Sequence, residues 1–121
     1  MNLKHKSEIT FVIVSLESIK GIKTCLKNIG NNYKVIIAEN SNNLSIKNEI
    51  ENNFVNAKCI LLGKNLGYAS AANAGISYVK TKFAFLIKKI LLIFLNEFLL
   101  IYKNHNVSYD NKMKTNSNAN F

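Results

Sequence analysis

Arginine, proline and tryptophan are absent from the 121 residues, and aspartate occurs once, at Asp110. Each absence narrows the range of functions. Arginine supplies the planar fork that reads base edges and grips phosphates bidentately. A nucleic-acid reader is therefore not the expected class, although the net charge is +9. All 16 basic residues are lysines, scattered rather than clustered, in a chain rich in asparagine and isoleucine. That composition matches an AT-rich coding bias, and the lysines read as a solvated surface, with attraction to an anionic membrane face as the minor alternative. The two cysteines, Cys25 and Cys59, make no CxxC and no Cys/His spacing. They read as small, reduced core residues of a cytosolic protein rather than as a metal site. The apolar run Phe11–Val14 behind the polar Met1–Glu8 is too short for a signal peptide, and no small-residue cleavage site follows it. Glycine stops altogether after Gly75.

What is present has a regular order. Hydrophobic residues make up 48% of the chain and charged ones 19%, a balance that fits one globular domain at most. The β-rich run Ile9–Val14 predicts a buried first strand. Ile19, Ile22, Leu26 and Ile29 recur at helical spacing, with Lys20, Lys23 and Lys27 opposite and Gly30 as the stop. Tyr33–Ala38 predicts a second strand. Ile46, Ile50 and Phe54 mark a second amphipathic helix, and Lys58–Leu62 a third strand. The small-residue stretch from Asn65 then opens a third helix running to about Lys80, before a fourth strand at Phe83–Ile87. This βαβαβαβ order is that of a doubly wound α/β unit with a mainly parallel, Rossmann-like sheet. Ligands of such folds sit at the carboxyl ends of the strands. Three polar segments fall there: Ser15-Leu16, Glu39-Asn40-Ser41 and Asn65-Leu66-Gly67.

Past Ile87 the character changes. Lys88-Lys89 interrupts the strand, and Ile90–Tyr102 is apolar apart from Asn96-Glu97. A membrane span needs ~20 predominantly apolar residues, so this run reads as a buried or interfacial helix. Lys103–Phe121 is polar, rich in asparagine and lysine, and reads as a disordered tail. The expected division is therefore 8–87 and 88–121.

The elements Val12-Ile13-Val14-Ser15, Val35-Ile36-Ile37-Ala38-Glu39-Asn40-Ser41, and Asn65-Leu66-Gly67-Tyr68 with Asn73-Ala74-Gly75-Ile76 stand in fixed order on this framework. In that arrangement residues 1–87 resemble the N-terminal half of family 2 glycosyltransferases of the GT-A fold, particularly the rhamnosyltransferase-like members. The resemblance implies a site for a nucleotide-sugar, UDP- or dTDP-linked, whose sugar passes to a glycan or lipid acceptor. It places Ser15 near the nucleoside and Leu16 where an aromatic residue often stacks on the base. Glu39 takes the position of the acidic residue that accepts hydrogen bonds from base or ribose, a task suited to an acceptor-only carboxylate. Asn65 and Gly67 would shape the loop beside the nucleotide, Asn73 and Gly75 would fix the helix on the sheet, and Ala72 would stand where a basic residue commonly faces the diphosphate.

The same residues have plainer readings. Glu39 fits an exposed loop carboxylate, Ser15 a helix N-cap, and Gly67 and Gly75 purely conformational roles. Glu49 and Glu51 lie two apart on a helix and read as solvated. His5 and His105 fall in polar ends of the chain.

The family resembled holds Mg or Mn on an acidic motif after the fourth strand and deprotonates its acceptor with a later carboxylate. Lys88-Lys89-Ile90 stands at that position, and lysine supplies no oxygen donor for a hard cation. The expectation is a catalytically incomplete protein with no metal site and no catalytic residues: a truncated or frameshifted glycosyltransferase, cytoplasmic, with peripheral contact at the inner face of the membrane. The alternatives are a non-catalytic nucleotide-binding module and a membrane-surface interaction protein built on Ile90–Tyr102. A half-domain of this kind is expected to expose an apolar edge at its fourth strand and to self-associate. Translating the other reading frames past codon 87 tests the frameshift. An acidic motif and an acceptor domain are expected in one of them, and their absence from both contradicts it.

Overall fold

The computed structural model describes residues 8–87 and the backbone of 101–104. Four strands and three helices alternate: β1 (Ile9–Ser15), α1 (Ile19–Ile29), β2 (Lys34–Glu39), α2 (Leu44–Asn53), β3 (Ala57–Leu61), α3 (Tyr68–Ser77) and β4 (Phe83–Ile87). A fifth strand, β5 (Ile101–Asn104), closes the sheet order β3-β2-β1-β4-β5. β1 to β4 are mutually parallel, as helical crossovers require. β5 runs antiparallel to β4, with Leu86 opposite Ile101 and Phe83 opposite Asn104. The α/β class and the doubly wound order follow the sequence pattern.

Strand alternation sorts the core into two layers. Phe11, Ile13, Val35, Ile37 and Cys59 face α1 and α2, meeting Ile22, Cys25, Leu26, Ile46 and Ile50. Val12, Val14, Ile36, Ala38, Ala84 and Leu86 face α3, meeting Ala71, Ala72 and Ile76. Because both faces of β1 are covered, the whole strand is buried. Each helix has a local cause. Gly30, with φ of 80°, turns the chain out of α1 and bonds back to Leu26. The Asn43 side chain caps α2 by accepting from the N–H groups of Ser45 and Ile46. α3 presses its small-residue face onto the sheet, and Gly75 is the point of closest approach. A Cβ there would lie 2.8 Å from Val12 Cγ1 and 3.1 Å from Ala38 Cβ.

Several boundaries differ from those expected. β2 starts and ends one residue later, because the Tyr33 carbonyl accepts from the Asn56 side chain at 2.7 Å, leaving Tyr33 in the turn before the ladder. Glu39 is thereby the last residue of β2, not part of a loop. β3 is likewise shifted one residue earlier. α3 begins at Tyr68 and stops at Ser77, not Lys80. The Tyr78 N–H bonds back to Gly75, and a buried Thr10–Thr81 hydroxyl pair at 2.7 Å ties the following link to the start of β1. Asn73 is exposed rather than fixing α3 on the sheet, and Ala72 is fully buried against it, so a side chain at 72 faces the core and not a diphosphate. The β4 edge expected to be bare is paired with β5, and Ile101–Tyr102 belong to that strand rather than to the end of a helix. The remainder of the apolar run, the rest of the tail, and His5 and His105 lie outside the described residues.

Overpacking of a rigid contact typically costs 1–3 kcal/mol. Gly75→Ala is therefore expected to destabilise the fold by about 2 kcal/mol in urea unfolding. A loss below about 0.5 kcal/mol would mean that α3 does not sit against Val12 as tightly as described.

Candidate functional site

The strand order reverses at β1: the chain moves outward through β2 to β3, then crosses back to place β4 on the other side of β1. Such a reversal opens a crevice at the carboxyl ends of the strands. Ser15 and Glu39 end β1 and β2 and stand opposite each other in the parallel register. Both are buried, Ser15 at 2% and Glu39 at 0% exposure. Glu39 Oε2 accepts from the Glu17 N–H at 2.9 Å and from the Ser41 hydroxyl at 2.6 Å. Among the described residues, Glu39 Oε1 and Ser15 Oγ have no hydrogen-bond partner.

Three loops converge on this pair. The β1–α1 turn is held over Glu39 by the Glu17 N–H, and Glu17 takes a φ of 49°, a left-handed conformation uncommon outside glycine. Its carboxylate also accepts from Asn43 Nδ2 at 3.1 Å, which couples that turn to the start of α2. Asn40 joins the other loop. Its N–H donates to the Ser15 carbonyl at 2.7 Å, its Oδ1 accepts from Leu66 N–H at 2.9 Å, and its Nδ2 donates to the Gly67 carbonyl at 3.2 Å. Asn65 Oδ1 accepts from Gly67 N–H, and Gly67, at φ of 84°, leads into α3. Ser15, Glu39, Asn40, Ser41, Asn65 and Gly67 therefore meet at one rim of the sheet. Leu16 and Leu66 lie exposed beside them.

The plainer readings of two residues do not hold. Glu39 is a buried strand residue, not a loop carboxylate. Ser15 ends β1, and the N-cap position of α1 is Ser18. Glu17 and Asn43 were not among the expected site residues. Asn43 carried a signal, an asparagine directly before a helical apolar pattern. Nothing in the sequence announces the left-handed turn at Glu17.

The chemistry of the rim is acceptor-rich and apolar-walled. Burial, and secondarily the charge of Glu39, push the Cys59 thiol up to about 12, and burial alone does the same for the Tyr68 phenol. Neither is a nucleophile at neutral pH. Among the described residues, no three His, Cys, Asp or Glu converge as a metal-binding group, and no helix is long and apolar enough to cross a membrane. A cavity of about 640 Å³ opens at the opposite rim, between Thr10, Lys34, Ile36, Asn56, Lys58 and Tyr78, and shares no residue with the Ser15–Glu39 cluster. It lies away from the crevice where the strand order reverses.

No family model and no curated protein matches the sequence. Among solved structures, the chain is similar to the mannosyltransferase PcManGT from Pyrobaculum calidifontis in complex with GDP-Man and Mn2+. The TM-score is 0.59 at 11% identity, covering 73% of this chain and 29% of that one. It is also similar to residues 1–349 of TarS from S. aureus, with TM-score 0.55 and 16% identity, covering 68% of this chain and 27% of that one. The likeness is of fold alone, a parallel α/β sheet with alternating helices, and the chain spans less than a third of the length of either matched chain.

Two outcomes follow from the buried groups. Losing the Asn40 side chain removes its two bonds to the 65–67 loop, at the Leu66 N–H and the Gly67 carbonyl. Asn40→Ala is therefore expected to cost about 2 kcal/mol and to speed hydrogen exchange at Leu66 selectively. Unchanged exchange there would refute the bridge. The raised Cys59 thiol keeps its proton in the folded state while the unfolded thiol ionises near 8.5. Its contribution to stability is thus complete below that pH and declines as pH rises towards about 12. Cys59→Ala is expected to flatten this alkaline decline in denaturation midpoints, and an identical slope in both proteins contradicts it.

Proposed function

We propose that this chain is the nucleotide-sugar-binding half of a family 2-type, rhamnosyltransferase-like glycosyltransferase, taking a UDP- or dTDP-sugar at the Ser15–Glu39 rim. One observation carries the reading: two buried polar atoms, Glu39 Oε1 and Ser15 Oγ, lack partners among the described residues at the crevice where an α/β sheet of this order places its ligand. An unmet buried acceptor costs about 1–3 kcal/mol, and a ligand N–H or O–H relieves it. The neighbour that binds GDP-Man supports a nucleotide-sugar in general, and the resemblance of the three motifs supports the finer assignment.

In this reading Glu39 Oε1 accepts from the base or ribose, while Ser15 Oγ donates or accepts beside it. Asn40 holds the 65–67 loop at the height the ligand needs, with Asn65 and Gly67 forming that loop and Ser41 orienting the carboxylate. Because Glu39 is buried and bonded to the Glu17 turn, the ligand's donor reaches it by displacing that turn, which the Glu17 N–H bond to Glu39 and the Glu17–Asn43 bond hold down. Gly75 supports the site by letting α3 close onto β1 and β2. Lys88-Lys89 follow β4 at the place of the acidic motif in the family resembled, and their side chains offer no oxygen donor to a cation of the Mg or Mn type. Donor binding without turnover is the activity assigned, at the cytoplasmic side, with peripheral membrane contact and self-association as part of the same proposal.

Calorimetric titration with UDP- and dTDP-sugars, with and without manganese, tests it. Binding independent of metal is expected, and Glu39→Gln is expected to weaken it at least about tenfold, since hydrogen bonds to a charged group contribute about 1.5–3 kcal/mol. Equal affinity of the two proteins would overturn the role of Glu39. Metal-dependent transfer would overturn the lack of turnover.

A further inference from the structure

Among the described strands, β3 is the last of the sheet on that side. Parallel pairing fixes which of its backbone groups face outward. Val35 N–H bonds to the Asn56 carbonyl and Leu62 N–H to the Glu39 carbonyl, so the even-numbered residues of this segment address β2. Ala57, Cys59 and Leu61 therefore turn their N–H and C=O groups away from the sheet. Such a row is a template for another strand. Its first donor is engaged, the Ala57 N–H bonding to the Phe54 carbonyl.

The middle residue is occupied from α2. Glu51 Oε2 accepts from the Cys59 N–H at 2.8 Å, and Lys47 Nζ donates to the Cys59 carbonyl at 2.6 Å. Lys47 and Glu51 also bond to each other at 2.8 Å, one helical turn apart. Together the two side chains reproduce the donor and acceptor that a neighbouring strand would offer to Cys59. Glu51 is thus not a merely solvated charge. Its partner in sequence, Glu49, pairs instead with Lys23 of α1.

We propose that Lys47 and Glu51 guard the β3 edge, and that the unguarded edge pairs antiparallel with β3 of a second copy of this chain. The occupant follows from the sequence Ala57-Lys58-Cys59-Ile60-Leu61. Centred on Cys59, antiparallel pairing sets the outward groups of Cys59 against those of its counterpart and brings Lys58 opposite Ile60. Parallel pairing in the same register would set Lys58 beside Lys58, which like-charge repulsion disfavours. Among the described strands the sheet ends at β3 on one side and at β5 on the other, and the guard acts on the β3 edge alone.

The test compares the intact chain with Lys47→Met/Glu51→Leu, a pair of helix-forming replacements that removes both bonds to Cys59 and keeps apolar volume. Sedimentation at high micromolar concentration is expected to show a doubled mass relative to the intact chain, with slowed hydrogen exchange at Leu61. Adding Leu61→Pro deletes the outward N–H without touching the β2 ladder, and is expected to restore the original mass. An unchanged mass, or an increase that Leu61→Pro leaves in place, overturns the proposal. The intact protein supplies an independent reading: Cys59 N–H is expected to exchange far more slowly than the outward Leu61 N–H, and equal rates would show that no guard exists.

Discussion

A carboxylate with no exposed surface, placed at the last position of a parallel strand, sets the arrangement of one whole rim of this protein. Glu39 requires donors, and the fold supplies two of them from neighbouring loops, the Glu17 N–H and the Ser41 hydroxyl. The Glu17 backbone accepts a left-handed turn as it reaches the carboxylate, and Asn43 ties that turn to the next helix. Asn40 extends the same logic to the third loop. The rim is thus a network in which each loop is held by a side chain of another, and its two unmet atoms, Glu39 Oε1 and Ser15 Oγ, mark where it is unfinished. Partly satisfied buried polar groups are costly, and these two lie beside a reversal of strand order, the place where sheets of this kind receive their ligands.

The body of the fold supports that rim through packing rather than through polar contacts. β1 is buried on both faces, and its alternating residues feed two separate apolar layers. The layer under α3 is thin because the helix is built from alanine and glycine, and Gly75 allows it to touch Val12 and Ala38 directly. A larger residue would lift α3 and with it the 65–67 loop. The opposite layer, under α1 and α2, is filled with larger side chains, isoleucines, valine and leucine together with Phe11 and its ring contacts to Tyr33 and Phe85. Close packing on one face and bulk on the other therefore serve different ends, one positioning a loop and the other filling a core.

Much of this was legible in the sequence. The alternation of strand and helix periods predicts the doubly wound sheet, and the polar segments at three strand ends predict the rim where Ser15, Glu39, Asn40, Ser41, Asn65 and Gly67 meet. Side-chain depth was less legible. Glu39 followed by Asn-Ser-Asn-Asn looks like a loop residue, and only the hydrogen bonds that satisfy it draw it into the strand. Ala72 and Asn73 were assigned outward and sheet-facing roles that the helix phase reverses, because in a stretch of alanine, serine and asparagine no hydrophobic contrast fixes which face turns inward. The edge guard was invisible for a different reason. Lys47 and Glu51 look like any i, i+4 pair, and their target is a backbone group brought near by the fold. The strand at Ile101–Asn104 pairs with residues Phe83–Leu86 far behind it, a non-local contact that apolar periodicity does not encode.

The central claim is that the carboxyl-end rim, and not the lysine-lined cavity at the other end of the sheet, receives a nucleotide-sugar. Amide chemical shifts in a labelled sample titrated with UDP- and dTDP-sugars address this directly. The account predicts that the amides of Ser15, Glu17, Asn40, Leu66 and Gly67 move together and saturate, while those of Lys34, Asn56 and Lys58 stay in place. Saturable shifts confined to Lys34, Asn56 and Lys58 would contradict it.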